Sequence, residues 1–162
     1  MTASQFLLKQ HRELREMLDA LRTHGEQSQS LVFQLADMLE GHIVVEQELR
    51  YPRLDLRAQQ QAHERHAAVR FCMKRLVQTP PSDSSFSATL QTLGELVELH
   101  MGDEETHLFP LAERALVAQS AELGRHMAEL FEHGAEGTHR HGQTCPPPNS
   151  SRQSGPPSGQ SS

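Results

Sequence analysis

The stretch His100-Met101-Gly102-Asp103-Glu104-Glu105 decides how this sequence is interpreted. His100 and Glu104 are four residues apart, so on a helix both side chains project from one face, one turn from each other. The same spacing occurs earlier in the chain, in His42-Ile43-Val44-Val45-Glu46. Two copies of a helical histidine–carboxylate pair predict the two halves of a duplicated metal site.

Composition bounds the kind of protein that this chain can form. Its 162 residues suffice for one ordinary domain, but only 36% are hydrophobic, so we expect part of the chain to remain unpacked. A net charge of −6 argues against a general binder of phosphate backbones. No apolar run approaches the roughly 20 residues that span a bilayer, and the N-terminus lacks the layout of a secretory signal. Only two cysteines occur, far apart, so we expect no disulfide framework and a cytoplasmic protein. From the charge and the hydropathy we expect neither nucleic-acid nor membrane partners.

Apolar residues recur with helical period along four long segments. We predict the first helix over residues 4–22. The second should begin at an N-cap, Ser28 or Ser30, and should kink or end between Pro52 and Leu56. The third and fourth are predicted over about 59–77 and about 86–118. A short fifth helix is expected near residues 121–131. These elements predict an all-α fold, an up-down-up-down four-helix bundle with a short extra C-terminal helix.

The chain should divide into two parts by composition. Residues 1–133 are expected to form the bundle. Residues 134–162 consist mainly of Gly, Pro, Ser, Gln and Thr, with almost nothing to bury, and are predicted to be a disordered tail.

Besides His107, which lies one turn past Glu104 on the stripe of the fourth helix, six polar residues interrupt the apolar stripes of the four long helices. Counting from the predicted turns, at a rise of about 1.5 Å per residue, places them at one height to within about one turn. The sequence therefore predicts a single polar layer inside the bundle, composed of His11, His42, Glu46, His66, His100 and Glu104.

The two carboxylates favour a metal site over a purely structural role. A single histidine on an apolar stripe is usually a hydrogen-bonded core residue, but an unpaired buried carboxylate is very costly, and no Lys or Arg lies on these stripes. Mixed His and Glu ligands without thiolate suit iron, manganese or zinc. Because histidines outnumber carboxylates, the set favours a di-iron centre that holds a small exogenous ligand at an open position.

Residues 4–115 resemble the hemerythrin family in its HHE cation-binding branch, through the two H-x-x-x-E segments, their aromatic–proline pairs Tyr51-Pro52 and Phe109-Pro110, and the two stripe histidines. The resemblance implies a four-helix bundle with two Fe ions, bridged by carboxylates and an oxo or hydroxo group. It makes Glu46 and Glu104 the bridging ligands. The terminal ligands that it implies are His11, His42, His66 and His100.

The chain departs from the oxygen-carrying members of that family, which have five histidine ligands and an Asp bridge five residues after the fourth-helix histidine. Here Glu105 occupies that offset, but helical phase places Glu104 on the stripe and Glu105 off it. His63 and His107 are both candidates for a fifth histidine ligand, and the choice between them stays open.

We therefore expect a non-haem di-iron protein that binds or senses O2 or a related small oxidant, peroxide or nitric oxide. Two alternatives remain open at this point. One is a di-iron oxidoreductase in peroxide or nitric-oxide detoxification or in iron–sulfur cluster repair. The other is a module that buffers or stores iron.

Overall fold

The computed structural model describes residues 1–24, 29–50, 55–110 and 119–138. Within these ranges the chain is helical and contains no strand, which confirms the predicted all-α class. The five helices are α1 (Ala3–His24), α2 (Gln29–Val45), α3 (Leu56–Gln78), α4 (Phe86–Asp103) and α5 (Ser120–Thr138). Helices α2 and α4 each continue into a π-helical turn, over Glu46–Arg50 and Glu104–Leu108 respectively.

The described boundaries of α1 to α4 lie within about three residues of the predicted ones. Asp55 caps α3 by accepting a 2.9 Å hydrogen bond from the amide of Ala58, which satisfies one of the free donors of the first turn. The predicted end of the second helix, between Pro52 and Leu56, lies partly outside the described residues, as does the predicted stretch 111–118 of the fourth. The prediction of a short fifth helix near residues 121–131 was wrong: α5 has 19 residues and ends at Thr138, past the predicted bundle boundary at residue 133. Residues 139–162 lie outside the described ranges.

The four long helices pack in a closed ring, in which α1 contacts α2, α2 contacts α3, α3 contacts α4, and α4 contacts α1. Their apolar stripes meet inside this ring and form the main core cluster, which includes Leu14, Leu35, Val69 and Leu93. The burial of one apolar stripe per helix is what stabilises a bundle of amphipathic helices.

A second apolar cluster lies at one end of the bundle, where α5 packs against α1 and α2. On α1, His11 falls between Leu7, which belongs to the second cluster, and Leu14, which belongs to the first. The predicted polar layer is therefore bounded by apolar side chains along the helix axis. The members of the second cluster are Ala3, Phe6, Leu7, Val45, Phe109, Leu123 and Met127.

Helix α5 lies very close to the backbone at the start of the chain. A Cβ atom added to Gly124 would lie 2.5 Å from the carbonyl oxygen of Met1 and 2.6 Å from the carbonyl carbon of Thr2. Backbone atoms cannot move aside as the end of a flexible side chain can. Glycine at this position is therefore what allows α5 to pack against the N-terminal segment.

Substituting Gly124→Ala should lower the free energy of unfolding by about 1 to 3 kcal/mol, because the added methyl group overpacks a backbone contact. The matched control is Gly102→Ala, where an added Cβ meets nothing within 4 Å. That change should instead stabilise α4 by about 1 kcal/mol, the difference in helix propensity between the two residues. Urea unfolding followed by circular dichroism measures both; equal effects of the two substitutions would contradict the account.

Candidate metal site

The six residues predicted for the polar layer lie together in the interior of the bundle, and each is at most 5% exposed. Their nitrogen and oxygen atoms form two groups, each compact enough for one metal ion, with all ligand atoms within 4.8 Å of one another. The first group consists of His11, His42, Glu46 and Glu104. The second consists of Glu46, His66 and His100. Glu46 belongs to both.

Both glutamates open a π-helical turn, a feature that the helical spacing alone did not reveal. The amide of Phe109 donates to the carbonyl of Glu104, the five-residue separation that defines the wider turn. In each copy of the motif a proline follows the glutamate by six residues, Pro52 after Glu46 and Pro110 after Glu104. Because proline supplies no amide donor, the repeated position was a signal in the sequence for irregular helix at this point.

His11 and His42 each face the layer with a ring nitrogen that has no hydrogen-bond partner. The Nε2 atoms of both rings are buried and have no hydrogen-bond partner. On the other side of the ring, Nδ1 of His11 lies 2.7 Å from Oε1 of Glu105, and Nδ1 of His42 lies 3.0 Å from Oε1 of Gln10. A side-chain oxygen of this kind accepts the Nδ1 proton, which leaves the Nε2 lone pair directed into the layer. Two buried lone pairs without donors fit a bound cation.

The protonation of these rings is consistent with that role. Burial lowers the pKa of His42 to about 3. It also lowers the pKa of His11, although the hydrogen bond to Glu105 opposes the change. Both rings are therefore neutral near pH 7, and neutral imidazole is the form that ligates metals.

Glu46 lies among three histidines. Its Oε2 atom is 3.2 Å from Nε2 of His66 and 3.3 Å from Nε2 of His100. Burial alone would raise the pKa of Glu46, but His42 and the hydrogen bonds from His100 and His66 outweigh it and hold the pKa well below its ordinary value. The buried carboxylate is therefore ionised and available as a ligand.

Among the four histidines of the layer, His100 is the one whose pKa the carboxylates raise. Burial opposes its charge, but the nearby Glu104 and Glu46 outweigh burial and raise the pKa of His100. A metal ion would replace this proton, since ligating imidazole must be deprotonated.

The two candidates for a fifth histidine lie outside both groups. His63 is exposed, and its Nδ1 atom lies 3.3 Å from the amide nitrogen of Gln47. The side chain of His107 is 72% exposed and lies 3.2 Å from Asp103. Glu104 is buried and Glu105 is 28% exposed, in keeping with their helical phase.

The aromatic residue of the second motif covers the layer. The ring of Phe109 stacks on that of His11, with centroids 5.5 Å apart and planes 25° from parallel. Phe109 also belongs to the apolar cluster beneath α5. Tyr51, its counterpart after the first motif, lies outside the described residues.

The residues of this His and Glu cluster lie within a segment that matches a known protein family. The family model of the hemerythrin HHE cation-binding domain matches residues 2–112. The chain belongs to the hemerythrin HHE family. The match covers the four long helices and both H-x-x-x-E segments, and it ends before α5.

Membership of the hemerythrin HHE family supports cation binding by the buried His and Glu cluster. Searches of curated proteins and of solved structures returned no match for this HHE domain. Among its described residues, no helix is long and apolar enough to cross a membrane.

The metal-free protein should lose stability as the pH falls below about 6.5, the ordinary histidine pKa. Between pH 6.5 and the folded pKa of His42, about 3, the unfolded chain takes up a proton that the folded state excludes. Each histidine with a lowered pKa then contributes a loss of about 1.4 kcal/mol per pH unit, and His11 and His66 share the direction. His100 has the opposite effect, because its pKa is raised in the folded protein. Its contribution to stability is present at low pH and is lost as the pH rises through the pKa that it has in the folded protein.

Urea unfolding in the presence of a chelator, at pH 7.5, 6 and 5, measures this dependence. The exposed His63→Gln variant should reproduce the wild-type slope, whereas His42→Gln should flatten it. Equal or greater wild-type stability at pH 5 than at pH 7.5 would contradict the assignment of neutral buried histidines.

Proposed function

We propose that this HHE domain holds two iron ions in the buried layer and there binds or senses O2 or a related small oxidant, peroxide or nitric oxide. The observation that carries the proposal is the position of Glu46, which belongs to both ligand groups. A carboxylate with two oxygens can bridge two ions at about 3.5 to 4 Å, the usual spacing in two-metal sites.

The ligand assignment in this proposal follows the two groups. His11, His42, Glu46 and Glu104 would hold one ion, and Glu46, His66 and His100 the other. Support for Glu104 as a second bridge comes from its Oε2 atom, which lies 3.7 Å from Nε2 of His100 as well as 3.3 Å from Nε2 of His11. An oxo or hydroxo group would complete the bridge.

The up-down-up-down order of the helices is part of the same proposal, supported by the contacts between consecutive helices.

The donor set favours iron. Imidazole and carboxylate without thiolate suit iron, manganese or zinc, and a set richer in histidine than in glutamate carries little negative charge. Bound iron would supply redox change and an open coordination position for the exogenous ligand.

The surroundings of the layer suit a small, weakly hydrated ligand. Apolar residues bound the layer along the helix axis, with Leu7 and Phe109 on one side and Leu14 on the other. Such walls exclude water from the ligand and offer no counter-charge to a large anion. This environment supports O2, nitric oxide or peroxide as the ligand.

Substitutions in the two groups should change iron content in different ways. His66→Ala removes a ligand of one ion only and should leave about one iron per chain, whereas Glu46→Ala removes the shared ligand and should lose both. His63→Ala and His107→Ala are matched controls on exposed histidines and should keep the wild-type content. Metal analysis of the purified variants measures this. Full iron content in Glu46→Ala would refute the shared-ligand assignment.

Ligand binding and turnover can be separated on the iron-loaded protein. Binding or sensing predicts an optical change on adding O2 to the anaerobic reduced protein, reversed when O2 is removed, with no continuing consumption. Sustained consumption of peroxide or nitric oxide with an added reductant would instead support the oxidoreductase, including the repair role. Many irons per chain, rather than about two, would support buffering or storage.

A further inference from the structure

His11 lies between two carboxylates, one at each ring nitrogen. Its Nδ1 atom is 2.7 Å from Oε1 of Glu105, and its Nε2 atom is 3.3 Å from Oε2 of Glu104. A neutral imidazole has only one N–H, so it can donate to only one of them. Which carboxylate receives the proton decides whether Nε2 presents a lone pair or a hydrogen to the buried layer.

We propose that Glu105 is a positioning residue that selects the tautomer of His11, holding the proton on Nδ1 and so leaving the Nε2 lone pair free for a metal ion. The shorter of the two contacts favours this tautomer, since 2.7 Å is typical of a charge-assisted hydrogen bond and 3.3 Å is long for any. The effect of Glu105 on metal affinity rests on the proposed metal site, whereas the tautomer of His11 is a property of the metal-free protein.

A second interaction fixes Glu105 in place. The Nη1 group of Arg15 donates to the same Oε1 atom at 2.9 Å, while its Nε and Nη2 groups donate to the carboxylate of Glu98 at 2.9 Å each. Arg15 therefore holds Glu105 as an ionised acceptor against the flank of α1. The chain from Glu98 through Arg15 to Glu105 connects the exposed surface to a fully buried ring, because the exposed side-chain fractions fall from 58% to 33%, 28% and 0%.

Without Glu105 the proton should move from Nδ1 to Nε2 of His11, because Nε2 keeps a carboxylate oxygen at 3.3 Å, Oε2 of Glu104, whereas Nδ1 has lost its own. The lone pair directed at the layer would become an N–H, and a metal ion would have to displace that proton. Substituting the hydrogen-bond partner of a metal-ligating histidine lowers metal affinity by about 10- to 100-fold. Glu105→Ala should show a loss of that size, whereas Glu105→Gln keeps an oxygen acceptor and should lose little.

The test uses the full chain with ¹⁵N-labelled histidine, stripped of metal by a chelator. Long-range ¹H–¹⁵N spectra distinguish the two tautomers, and Fe²⁺ titration then gives the affinity. We expect an Nδ1–H tautomer for His11 in the wild type and in Glu105→Gln. We expect a shift to Nε2–H, with weaker Fe²⁺ binding, in Glu105→Ala. Glu98→Gln, which removes the negative charge of the other partner of Arg15, should leave the tautomer and the affinity unchanged.

Two results would overturn the inference: an Nε2–H tautomer in the wild type, or a Glu105→Ala variant that retains both the Nδ1–H tautomer and the wild-type affinity. If Glu105→Ala does not fold, the wild-type tautomer decides. Failure of the proposed function is recognised separately, since a wild-type chain with the Nδ1–H tautomer that binds no Fe²⁺ would refute the metal site and leave the role of Glu105 intact.

Discussion

Two buried carboxylates, Glu46 and Glu104, set the constraint on which the rest of the structure depends. A carboxylate in an apolar interior is costly unless opposite charge or hydrogen bonds compensate it, and no lysine or arginine is buried within the described part of the chain. Four histidines surround the pair instead, one from each long helix. The two carboxylates raise the pKa of His100, and its protonated form compensates part of their charge. Metal ions would compensate it fully, so folding and metal binding are expected to be coupled.

That constraint explains several features of the bundle together. The polar layer lies between two apolar clusters, so apolar side chains bound it along the helix axis. Helix α5 lies beyond the part of the chain that the hemerythrin HHE family model matches, yet it completes the apolar cluster at one end. The π-helical turns start at the two glutamates, and neither was expected from a regular helix.

Spacing along the sequence predicted the buried residues of the layer because helical phase and turn counting depend only on backbone geometry. His11 and His66 were found this way although neither belongs to a local motif. Phase also separated Glu104 from Glu105, but it assigned no role to Glu105. The contact of Glu105 with His11 joins α4 to α1, residues 94 positions apart, and no local pattern predicts such a pair. Regular helical phase placed His107 on the stripe of the fourth helix, but this prediction was wrong, because His107 lies in the π-helical turn Glu104–Leu108, whose wider turn changes the phase, and its side chain is exposed. For His63, an offset of one turn from His66 did not decide which of the two histidines faces inward.

The central claim is that one carboxylate, Glu46, is shared by two metal ions. Anomalous diffraction at the iron edge from crystals of the iron-loaded protein tests it most directly. We expect two anomalous peaks, one on each side of the Glu46 carboxylate and about 3.5 to 4 Å apart. A single peak, or a pair of peaks that does not flank Glu46, would contradict it.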